Sequence, residues 1–204
     1  MSDEYMEETN KFPLVSGDIS LDLVNTEVVR WGQRYDLFIN NEDILDWLYV
    51  VKEDNSFWNE QLFIKINERL SQVTSNILEM RKVLRKEFEA IADQQDISNH
   101  FITFLESKIE KAPFTYKLME NNLIPFPIGE IEDVLLALIA FNTLILIEEN
   151  KLTSLKRCSN SECVLLFIDL SGRRKWCSMK ICGNRKKVAK FQHRKLEDTK
   201  ESTF

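Results

Sequence analysis

Four cysteines near one end of a 204-residue chain constrain it more than any other feature: Cys158-x4-Cys163-x13-Cys177-x4-Cys182. Two close pairs flanking a short connector is the spacing of a closed metal site. Each tight turn presents two thiolates, and the four together give zinc the tetrahedral sulfur set it prefers. "CSNSEC" supplies the Ser and Asn that such a turn uses. Two disulfides would satisfy the count equally. The acidic start "MSDEYMEETNK" has neither signal-peptide nor transit-peptide character, however, and in the reducing cytoplasm disulfides are rare. The expectation is one structural Zn2+ per chain in a cytoplasmic protein. Catalytic zinc keeps a position open for water and four cysteines leave none, so metal-dependent hydrolysis is not expected. The two histidines, His100 and His193, are read as surface residues.

The segment between and after the pairs suggests how the site is built. "VLLFID" reads as a strand, "LSGR" as a turn with Gly172 free to take a positive φ, and "RKWC" as the returning strand. Ser178 can then cap a helix through "MKICGNRKKVAKFQHRK". Knuckle, hairpin and helix make a treble-clef-like finger.

Charge separates this end from the rest. Residues 1–150 hold 13 Lys/Arg against 28 Asp/Glu, and residues 151–204 hold 14 against 5, so a body of −15 carries an end of +9. Such asymmetry points to a nucleic-acid-binding end. At 100° per residue, Lys186, Lys187, Lys190 and Arg194 share one arc of the last helix. With Arg173, Arg174 and Lys175 they predict one positive surface for phosphates. Asn184 and Arg185 fall on the other side, with structural roles expected. Arg185 would pair with Asp169, and Asn184 would satisfy backbone at the knuckle. A surface for the protein's own acidic half, or for a protein partner, stays open as an alternative. Lysines hold phosphate without reading bases. The expected partner is DNA ahead of RNA.

Residues 1–150 read as a helical unit with a minor β element, and 151–204 as the finger, so the fold class is mainly α. "GDISLDLVNTEVVR" is expected to be helical from a cap at Asp18. A long amphipathic stretch from about Asn59 to Asp93 should break once, near Ser71 to Asn76. "FTYKLMENNLIPFPIG" has the composition of a hairpin. "VLLALIAFNTLILI" is too short for a bilayer and suits a buried central helix, so no membrane partner is expected. No phosphate-cradling glycine loop, nucleophile elbow or His-Glu-x-x-His occurs in the sequence, and an enzyme is not expected. Asp22, Asn25 and Arg30 could line a ligand pocket, with polar capping as the plainer alternative.

"RCSNSECVLLFIDLSGRRKWCSMKICGNRKK" resembles the CGNR zinc finger of bacterial proteins, with its Cys pair, Phe-x-Asp strand end, Trp-Cys-Ser-Met and Cys-Gly-Asn-Arg. "LDLVNT" with Arg30, "DLF" from Asp36 and "DWL" from Asp46 is similar to the ABATE domain found ahead of that finger, described as belonging to stress-induced transcription regulators. The turn "DLSGRRKW" is shorter than the Arg/Asn-rich loop of that family. The resemblance implies a transcription regulator, and with the basic end the chain reads as a zinc-dependent DNA-binding protein whose acidic body is expected to sense an unidentified small-molecule effector or to form a homodimer. An RNA- or ribosome-associated protein and a protein-interaction adaptor are the alternatives.

Overall fold

The chain opens its described part with a short helix rather than a long one. The structure, a computed structural model, describes residues 11–30, 32–52, 60–119 and 121–184. Helix α1 (Ile19–Val24) stops at Asn25, and Glu27–Arg30 (β1) then pairs antiparallel with Gln33–Asp36 (β2). The helix expected through this segment is thus limited to its first half. The β-branched Val28 and Val29 prefer extended backbone, and Gly32 at φ 77° allows the chain to turn back.

Helix α2 (Glu42–Val51) buries Ile44, Trp47 and Leu48. The long amphipathic stretch is two helices, α3 (Glu60–Glu68) and α4 (Leu70–Ala92). Their break falls at Arg69 (φ −120°, ψ 24°), just ahead of the expected place. Helix α4 lays Val73, Ile77, Met80, Leu84, Phe88 and Ile91 on the core at helical spacing. The same helix buries Arg81 and Arg85, two cations that the apolar periodicity does not announce. Helix α5 (Asn99–Lys111) starts where the Ser98 hydroxyl accepts from the Phe101 N–H.

The expected hairpin is present: β3 (Phe114–Met119) pairs with β4 (Asn122–Pro127), with Asn121 at φ 66°. Helix α6 (Ile131–Glu148) is the central element. It buries residues on nearly every face, including Leu135, Leu136, Ile139 and Leu146, and packs against α1, α3, α4 and α5. No helix among the described residues is long and apolar enough to cross a membrane.

The chain then enters the finger without leaving the body. A 3-10 turn (Lys151–Ser154) leads to β5 (Leu155–Arg157), which pairs antiparallel with β6 (Leu166–Ile168). Leu152, Leu155 and Leu166 belong to the body's core, while Leu165 and Phe167 pack around the cysteines. The β5–β6 pair therefore has one face in each cluster, as alternation along a strand dictates.

Candidate metal centre and finger surface

Strands β5 and β6 flank the first cysteine pair, so the finger's hairpin is not the one expected. Residues Arg173–Trp176 form no strand among the described residues. The strand partner of 166–168 lies upstream of the knuckle. Asp169 explains the difference. Its carboxylate accepts from Ser171 Oγ at 2.8 Å and from the Arg174 N–H at 2.9 Å, and its carbonyl accepts from the Gly172 N–H at 3.2 Å. These bonds curl the chain into a tight turn with Gly172 at φ 69°. The Lys175 carbonyl then accepts from the Ser159 N–H at 2.9 Å, which folds the second pair of cysteines over the first.

The four sulfurs of Cys158, Cys163, Cys177 and Cys182 all lie within 4.8 Å of one another. A zinc ion with Zn–S bonds of about 2.3 Å requires about 3.8 Å between sulfurs of a regular tetrahedron. The Cys163 and Cys177 sulfurs stand 3.9 Å apart. Cys158, Cys177 and Cys182 are buried, and Cys163 is half-buried. Two sulfurs are further supported: the Cys177 N–H donates to Cys158 Sγ and the Asn160 amide to Cys182 Sγ, each at 3.4 Å. As bare thiols Cys158, Cys163 and Cys177 would compete for protons. Hydrogen bonds from Cys163 and Cys177 hold the Cys158 thiol far below its ordinary range, and the hydrogen bond to that thiolate pushes Cys163 up to about 12 and Cys177 up as well. A divalent cation removes the conflict, because coordinated thiols deprotonate. The donor set fits one structural zinc ion and leaves no protein-free coordination position. Beyond the second pair, Ser178 caps the single π-type turn Met179–Gly183, its hydroxyl accepting from the Ile181 N–H at 2.9 Å.

Asn160, the Asn of the "CSNSEC" turn, serves the knuckle: its Oδ1 accepts from the Glu162 N–H at 3.3 Å and its carbonyl from the Cys163 N–H at 2.9 Å. The Ser/Asn turn chemistry around it was the available signal. Asn184, expected in that role, is exposed. Asp169 is paired here with Lys156, Nζ to Oδ2 2.9 Å. Arg185, its expected partner, lies outside the described residues, as do Lys186, Lys187, Lys190 and Arg194.

The described basic residues of the finger divide in two. Lys151 pairs with Glu149, Lys156 with Asp169, and Arg157 with Asp93 through two contacts of 2.7 and 2.8 Å. Arg174 turns inward, lying over the Phe167 ring at 4.5 Å and donating to the carbonyls of Trp176 (3.0 Å), Val15 (3.4 Å) and Cys177. Arg173, Lys175 and Lys180 are exposed and form no ion pair among the described residues. Arg173 and Lys175 line an open concavity of about 370 Å³ with Trp176 and Met179.

Asp22, Asn25 and Arg30 are not brought together. Asn25 is fully buried, and its carboxamide exchanges two 2.9 Å bonds with the Leu166 backbone. Arg30 is exposed and lies over the Tyr35 ring at 4.8 Å. Asp22 is buried under the loop 15–17. Arg85, which the sequence did not mark, completes the seam by donating to the Val164 carbonyl (2.9 Å) and to the Val24 carbonyl. Among curated proteins none matches the chain significantly. Residues 154–195, from the turn before β5 through the metal site and beyond, match the family model of the CGNR zinc finger.

Proposed function

We propose that this chain is a zinc-dependent nucleic-acid-binding protein, a DNA-binding transcription regulator acting in the cytoplasm rather than an enzyme. The observation that carries the proposal is the division of cations on the finger. Lys151, Lys156, Arg157 and Arg174 are committed to internal partners, while Arg173, Lys175 and Lys180 are left to solvent beside the metal site. Exposed cations next to a half-buried Trp176 suit a phosphate backbone with an aromatic edge for a base. Zinc makes no contact with the nucleic acid in this account; it fixes the turn that carries Arg173 and Lys175. The helical body is taken as an ABATE-like domain with a sensing or dimerising role. Crosslinking in the native host, followed by sequencing of what co-purifies, tests the proposal. Recovery of duplex DNA from defined loci supports it. Recovery of structured RNA would move the chain to the RNA-associated alternative, and recovery of neither would leave the finger as a protein-interaction module.

A further inference from the structure

A cavity of about 560 Å³ opens among α1, the end of α2, the β3–β4 hairpin and α6. Its walls are largely apolar, with Phe114, Leu138 and Ile145 among them, and the side chains of Asp22, Lys52 and Asn142 interrupt them. Asn142 has a fixed orientation. Its Oδ1 accepts from the Ser20 N–H at 3.2 Å and the Ser20 hydroxyl at 2.7 Å. A backbone N–H can only donate, so the carboxamide oxygen must face Ser20. The Nδ2 group is then left as a donor without a partner among the described residues.

Asp22 supplies the complementary acceptor. Its Oδ1 takes the Val15 N–H, the Ser16 N–H and the Ser16 hydroxyl, whereas among the described residues Oδ2 takes only the Gly17 N–H at 3.0 Å. One oxygen therefore keeps accepting capacity. No cation pairs with this carboxylate among the described residues, although it is only 3% exposed. Burial pushes its pKa above the ordinary carboxylate value. Exposed Lys52 also lines the cavity, with its ammonium over the rings of Tyr49 and Phe63, at 5.1 and 5.6 Å. Apolar walls with a few convergent polar groups are the usual build of a small-molecule site.

We propose that this cavity binds a largely apolar small molecule whose head carries an N–H donor, as an amide or a protonated amine, the donor seated against Asp22, with an amide's carbonyl also accepting from Asn142 Nδ2. A carboxylate head is disfavoured beside Asp22, which presents a buried acceptor there and pairs with no cation among the described residues. The cavity is distinct from the finger, so its occupancy can be tested without nucleic acid.

The test uses the full-length, zinc-loaded protein and three indoles of matched body: indole-3-acetamide, tryptamine and indole-3-acetate. Ligand-observed NMR is expected to show saturable binding of the acetamide and tryptamine, with the acetate at least tenfold weaker. Leu138→Trp, which fills the cavity and leaves the residues Asp22 and Asn142 in place, should weaken the first two at least tenfold at unchanged zinc content and helical circular dichroism. Ile145→Phe provides the same test should Leu138→Trp fail to fold. No saturable binding of either donor-bearing probe, equal binding of the acetate, or unchanged binding in a folded, filled variant would overturn the proposal.

Discussion

The carboxamide of Asn25 stands where a neighbouring strand would stand, donating to the Leu166 carbonyl and accepting from its N–H, both at 2.9 Å. Asn25→Ala would leave two buried backbone groups without partners, at about 1–3 kcal/mol each. We expect a loss of roughly 2–5 kcal/mol in urea unfolding, with zinc stoichiometry unchanged in the protein that remains folded. Asp169 makes a second residue-scale prediction. The hydrogen bond from Lys156, with those from Ser171 and the Arg174 N–H, holds its carboxyl well below the usual carboxylate range. A group whose folded pKa is depressed stabilises the protein above its unfolded value of about 3.9 and ceases to do so as pH falls through the folded value. Asp169→Asn should therefore be destabilised against wild type at neutral pH. The gap between their urea midpoints should close as the pH drops below about 4, toward the depressed folded value. A gap that stays constant into acid would show that the carboxylate's charge is not what matters.

Local chemistry was legible at the scale of elements wherever sequence neighbours decide the structure. The cysteine spacing announced the metal site, Ser178 announced the cap, and the composition of "FTYKLMENNLIPFPIG" announced the β3–β4 hairpin. Tertiary choices were not legible. The partner of β6 is β5, which sits before the knuckle, because Leu155 and Leu166 gain burial in the body core. The inward turn of Arg174 depends on Phe167 below it and on the Val15 carbonyl, 159 positions away in sequence. The turn after β6 offers a prediction of its own. Gly172 holds φ 69°, and nothing lies within 4 Å of the place a Cβ would occupy. Gly172→Ala should thus cost only its backbone strain, about 1–2 kcal/mol, and Gly172→Asn less. A larger loss, read from thermal unfolding, would mean that the turn is packed rather than open.

Among the described residues, helical body and finger are held together by a continuous seam. Arg85 joins α4 to the carbonyls of Val24 and Val164, Arg157 reaches Asp93, and β5–β6 shares its faces between the two hydrophobic clusters. Structural zinc contributes on the order of 10 kcal/mol or more to small finger domains. Removing it with a chelator, or by Cys177→Ser, should therefore lower the melting temperature of the helical body as well. An unchanged body transition would show that the seam carries little coupling. Arg157–Asp93 is an ion pair between the acidic residues 1–150 and the basic residues 151–204, and the proposed function assigns the exposed Arg173, Lys175 and Lys180 to a polyanion. That claim is tested most directly by the salt dependence of duplex-DNA affinity, with full-length zinc-loaded protein compared against Arg173→Ala/Lys175→Ala. The account predicts a falling log–log line for the wild type and a slope shallower by about 2 for the double variant, near 0.9 per lost phosphate contact. An identical slope in both proteins, or no salt-dependent binding by the wild type, would contradict it.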